Sequence, residues 1–115
     1  MRLPLSVLIL LSLPAAALAA RANPADELID LLLATDSAGN EHALARRMGV
    51  EELIWDCGYW AAGMAELQPY RPCFGKHGKP RRHVNVTVAH RDHVHIGMTR
   101  AGAAAKTSFW RRHTG

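Results

Sequence analysis

The sequence predicts an α+β chain: two short helices followed by strands and a long irregular loop. Three observations carry that prediction. Residues 23–35 join a helix-start signature to a wide apolar stripe. Residues 41–48 repeat the helical signal in miniature and stop at Gly49. Apolar residues then alternate at Val84, Val86 and Val88 and again at Val94 and Ile96, the period of two that strands require.

Taken in order, residues 3–20 carry no charge, follow Arg2, and end in the small-x-small run Ala17-Leu18-Ala19. That is the anatomy of a secretory signal peptide over residues 1–20. An uncleaved anchor is the alternative, because 18 apolar residues reach the lower limit for a membrane span. Pro4, Pro14 and the alanine-rich end favour cleavage, which leaves residues 21–115 as the mature, extracytoplasmic domain and confines any membrane contact to the leader. Asn23 can cap the first helix, Pro24 suits its first position, and Asp26 and Glu27 complement the positive end of its dipole. Leu28, Ile29, Leu31, Leu32 and Leu33 form its apolar stripe, and 36–40 is a turn cluster. The second helix has Arg46 and Arg47 in its last turn and Gly49 as its stop. Residues 50–55 read as a strand weakened by Glu51 and Glu52. Trp55, Tyr59 and Trp60 read as core aromatics. Glycines and prolines break 61–83 into loop, and Phe109 and Trp110 end the folded part.

The mature chain is short enough that its two cysteines matter. In an exported protein an isolated pair such as Cys57 and Cys73 reads as a disulfide, adding about 3 kcal/mol on the chain-entropy estimate. Free buried thiols are the alternative if the chain is not exported. The net charge of +4 hides an asymmetry. Residues 21–70 hold three basic and nine acidic side chains, whereas residues 71–115 hold ten Lys and Arg against the single Asp92. Arg81, Arg82, Arg91 and Arg100 are therefore candidates to meet an anionic partner such as cell-wall polymer. No aromatic-rich or helix-turn-helix pattern supports a nucleic-acid partner.

The densest chemistry lies in Val-Ala-His-Arg-Asp-His-Val-His-Ile-Gly-Met, residues 88–98. On a strand, His93 and His95 would share one face about 7 Å apart, with Val94 and Ile96 on the other. Such a pair suits one metal ligand and one neighbouring base, or two ligands on a bent strand; two surface histidines on an edge strand is the plain alternative.

Four stretches together resemble a known family: Leu-Leu-Ala-Thr-Asp-Ser-Ala-Gly-Asn-Glu (32–41), Ala-Arg-Arg-Met-Gly-Val (45–50), Ile-Trp-Asp (54–56), and the block from Ala89 to Trp110. They are similar to the C-terminal domain of secreted actinobacterial proteins related to the hedgehog/D-Ala-D-Ala metallopeptidase superfamily. The resemblance implies two helices on a small antiparallel sheet that carries a zinc site. It would make His95 a zinc ligand and His93 the residue that positions or deprotonates the attacking water. His90 and Asp92 would orient those rings or meet a cell-wall peptide substrate. The chain departs from the family pattern in one respect. The upstream H-x(6)-D element that supplies the other two ligands is not found: seven positions after His42 stands Gly49, and seven after His83 stands His90. The expectation is therefore an incomplete, peptidase-like domain, through truncation or loss, with local replacement by His77, His83 or His90 as the other route. A non-catalytic basic module binding anionic wall polymer is the alternative function.

Overall fold

The computed structural model describes residues 23–114, and the expected leader over residues 1–20 lies outside the described residues. Helix α1 (Pro24–Leu33) starts where the sequence places it: Asn23 Oδ1 accepts from the Ala25 N–H at 3.0 Å, with Pro24 in the first turn. It buries a narrower face than its composition suggests. Ile29 and Leu32 are buried, but Leu31 is 59% exposed, because only the i, i+3 edge meets the rest of the chain. After it, Asp36 folds the turn by accepting from the N–H groups of Ala38 and Asn40 and from the Asn40 side chain. The Asn40 side-chain amide is the main reason that the Asp36 carboxyl sits below the ordinary carboxylate range.

Helix α2 (Ala43–Met48) ends at Gly49 in left-handed backbone, φ +80°, where the glycine N–H caps the carbonyls of Ala45 and Arg46. Strands β1 (Val50–Trp55), β2 (Gly58–Ala61), β3 (Gln68–Pro69) and β4 (His95–Met98) form one antiparallel sheet in the order β3-β2-β1-β4. Directly opposed residues of antiparallel neighbours share a face. Leu53 lies opposite Trp60 on one side and Ile96 on the other, so those three define one face. Ile54 lies opposite Tyr59 and His95, and Glu52 opposite Ala61 and Gly97, so the second face carries the polar groups.

The first face holds the core. Leu53 and Trp60, almost wholly buried, join Ile29, Leu32, Ala45 and Val50 in one cluster. Each large side chain removed from water there contributes about 1.5–3 kcal/mol. His42 is buried at the edge of the cluster, its Nε2–H donating to the Ala65 carbonyl at 2.9 Å and its ring edge-on to Trp60. Trp55 ties α1 to the sheet by donating its indole N–H to Asp26 at 2.7 Å. Tyr59, in contrast to its aromatic neighbours, belongs to the polar face.

Two further elements differ from the sequence reading. Residues 84–88 are not a strand despite their alternating valines. Asn85 Oδ1 accepts from the Thr87 and Val88 N–H groups, and its carbonyl accepts from Ala89, so the backbone closes into turns and leaves Val86 and Val88 exposed. Beyond β4 the chain forms α3 (Arg100–Ala103), capped by Thr99, and α4 (Ser108–Thr114). Trp110 donates its indole N–H to the Met48 carbonyl at 3.0 Å and so satisfies the end of α2. No helix among the described residues is long and apolar enough to cross a membrane.

Gly49 and Gly102 meet backbone to backbone. A Cβ on Gly102 would stand 2.7 Å from the Met48 carbonyl oxygen, and one on Gly49 2.7 Å from the Gly102 Cα. We expect Gly102→Ala to destabilise the domain by about 1–3 kcal/mol through overpacking. Gly49→Ala adds left-handed strain of roughly 1–2 kcal/mol. Urea unfolding of the purified chain measures both, and an unchanged midpoint for Gly102→Ala would contradict the packing.

Candidate functional site

The polar face of the sheet is completed by two loops that converge on the β1–β2 turn. Asp56 and Cys57 form that turn, both with positive φ, 42° and 62°. A two-residue hairpin turn needs this backbone, which Asp tolerates and Cys does not favour. Tertiary bonds hold it there. The Asp56 and Cys57 N–H groups donate to the carbonyls of His90 and Ala89 at 2.8 and 2.9 Å, and the Cys57 carbonyl accepts from Tyr70 at 2.8 Å. Cys57 and Cys73 form a disulfide, which is compatible with an extracytoplasmic setting. Arg91 adds an ion pair to Asp56 at 2.8 Å.

This anchoring brings His90, His93 and His95 together. The rings of His90 and His93 lie 4.6 Å apart, and those of His90 and His95 lie 5.8 Å apart. His90 is the hub, in left-handed backbone at φ 55°, with Tyr70 edge-on to its ring at 5.5 Å. The structure therefore groups the histidines differently from a continuous strand. β4 begins only at His95, and His93 lies in the bend before it because residues 85–91 are spent on turns.

Each ring is held through one nitrogen. His90 Nδ1 lies 3.0 Å from the Val88 carbonyl, His93 Nδ1 lies 2.6 Å from Asp92 Oδ1, and His95 Nε2 lies 2.9 Å from Glu52 Oε1. Carbonyls and carboxylates only accept, so these nitrogens carry protons. The remaining nitrogens, Nε2 of His90 and His93 and Nδ1 of His95, have no hydrogen-bond partner among the described residues. Asp92 is itself oriented by the Thr87 hydroxyl, which donates at 2.9 Å. The bond from His93, and then that from Thr87, hold its carboxyl below the ordinary range. The other carboxylate, Glu52, also accepts from the Tyr59 hydroxyl at 3.1 Å, which pushes the Tyr59 phenol above its usual value.

Glu52, Tyr59 and Tyr70 are the site residues that motif reading passes over. Glu52 was legible in principle: it precedes buried Leu53 in a strand, so alternation alone sends it to the opposite face. Its partnership with His95, 43 residues away, has no local signal. Gly97 completes the arrangement, since a Cβ there would stand 3.0 Å from the Glu52 Cβ. Of the four arginines that are candidates for anion binding, Arg91 is paired with Asp56, Arg81 donates its Nε–H to the Phe74 carbonyl at 3.1 Å, and Arg82 and Arg100 are exposed. His77 lies in a separate turn of the 71–83 loop, and His83 is exposed. Among the described residues no three His, Cys, Asp or Glu side chains converge as a ligand set for a metal ion.

The Tyr59–Glu52 contact makes a titration prediction. Glu52→Gln removes the charge that penalises tyrosinate, so the Tyr59 pKa should fall back toward its ordinary value in an ultraviolet pH titration. The contribution of this bond is full below the phenol pKa of the unfolded chain and is lost as pH rises through the raised folded value. An unchanged Tyr59 titration in Glu52→Gln would remove the contact from the site.

A scan of models of protein families, a search of curated proteins and a search of solved structures each returned no match for this chain.

Proposed function

We propose that the histidine face is one half of a peptidase-like centre, in an exported domain related to zinc-dependent cell-wall peptidases and catalytically incomplete by itself. The observation that carries this reading is the Asp92–His93 pair at 2.6 Å, with Thr87 holding the carboxylate from its other oxygen. An acceptor on Nδ1 fixes the ring so that Nε2 presents its lone pair. His93 is then a base that takes a proton from an attacking water, and Asp92 offsets the charge of the imidazolium that forms. His95 keeps Nδ1 for a metal while Glu52 holds its other nitrogen, the outer contact that orients a ligating imidazole.

Zinc chemistry needs three protein ligands and an open position. The described residues do not bring three donors together, and the sequence carries no H-x(6)-D element. The described residues therefore do not fit a catalytic zinc by themselves. Their own contribution is a positioned base and an oriented imidazole facing a peptide of the cell wall.

Calorimetric titration of zinc into the purified chain, paired with an assay on wall peptides, tests this. We expect weak zinc uptake that His95→Ala abolishes, and no turnover. Tight stoichiometric zinc with steady hydrolysis that His93→Ala removes would show a complete centre and overturn the incompleteness. Zinc uptake unchanged in His95→Ala would overturn the ligand role.

A further inference from the structure

The loop on either side of the disulfide-bonded Cys73 has a chemistry that the histidine face does not use. Residues 69–81 enclose an open cleft of about 730 Å³. Arg71, Lys76, His77 and Arg81 line it around Phe74, and no Asp or Glu does. Arg71 and Lys76 are exposed. Arg81 spends only its Nε–H, on the Phe74 carbonyl, so its terminal nitrogens have no bonded partner among the described residues. The walls are held in place. Buried Cys73 is bonded to Cys57, and the Gly75 N–H donates to the Lys79 carbonyl at 2.7 Å. The Arg81 N–H donates to the Cys73 carbonyl at 3.0 Å. Three cations with no carboxylate in the lining leave the charge of the cleft unneutralised.

We infer that this cleft binds a phosphodiester-linked polyanion. Its lining charges are all positive, so the complementary ligand presents acceptors and negative charge. A polymer with its charge in the backbone brings successive anions into a cleft without ordering a flexible side chain for each one, as a polycarboxylate must. Tetrahedral phosphates also accept from guanidinium forks and from ammonium groups together. Phe74 is the one Phe, Tyr or Trp in the lining, too little for a row of stacked bases, so recognition rests on the backbone. The cleft shares Pro69, Arg71 and Pro72 with a smaller cavity of about 280 Å³ lined by Tyr59 and Tyr70. Tyr70 packs on His90, so a chain held in the cleft runs toward the histidine face.

The experiment uses the full chain and a fluorescent abasic deoxyribose-phosphate octamer, with a glutamate octamer of similar charge and an oligothymidylate octamer beside it. The abasic chain should bind with a log–log salt slope of about −2, from roughly 0.7 per neutralised phosphate over three cations. Arg71→Gln with Lys76→Gln should cut affinity at low salt about tenfold or more and flatten the slope to about −0.7. Arg46→Gln with Arg47→Gln, which changes exposed cations on α2, should leave binding intact. The glutamate octamer should bind about tenfold more weakly than the abasic chain. No binding of the abasic chain, or equal binding by the glutamate octamer, overturns the proposal. So does a marked preference for oligothymidylate, which would signal base stacking.

Discussion

The histidine loop and the basic loop are both tied to the left-handed turn at Asp56 and Cys57. A β-branched or bulky residue would resist that backbone, and a non-glycine residue adopts it at a cost of roughly 1–2 kcal/mol. The turn persists because three of its backbone groups and its sulfur have partners from other loops. Its two N–H groups bind the carbonyls at His90 and Ala89, its carbonyl binds the Tyr70 N–H, and its sulfur is bonded to Cys73. The first pair of bonds positions the histidine loop, and the last two fix the start of the basic loop. One hairpin turn thus sets the location of two separate chemical surfaces.

The sheet separates stability from chemistry by the parity of its strands. Leu53 and Trp60 face the helices, and burial of their side chains holds α1 and α2 in place. One residue away, Glu52, Ile54, Tyr59 and His95 face the other side. A register slip of one residue would place a carboxylate in the core and a leucine in the site, so the same packing that stabilises the fold also specifies the site. The close approach of Gly49 and Gly102 then docks α3 against the end of α2, directly after the strand that carries His95.

The histidine face has unequal members. Asp92 and Glu52 each hold one ring nitrogen of a histidine, while His90 relies on a neutral carbonyl and on Tyr70. Two of the three neighbouring rings are thus held by carboxylates and the third by a backbone carbonyl. The basic cleft shares Pro69, Arg71 and Pro72 with the smaller cavity lined by Tyr59 and Tyr70, and Tyr70 lies edge-on to His90.

What the sequence determined by itself is local. Asn23 with Pro24, and Gly49, mark helix ends through capping and backbone conformation, which act within a few residues. The cysteine pair and the histidine-rich segment were legible from composition and spacing. The valines at 84, 86 and 88 misled, because alternation cannot reveal that Asn85 offers the backbone a competing set of turn bonds. The tertiary structure decided the rest. It made His90 the hub, gave His95 its partner in Glu52, moved Tyr59 from the core to the site, and gathered Arg71, Lys76 and Arg81 around a cleft while sending Arg91 to Asp56. Those contacts join residues far apart in the chain, and their geometry comes from strand register and loop anchoring, which periodicity and motif spacing do not encode.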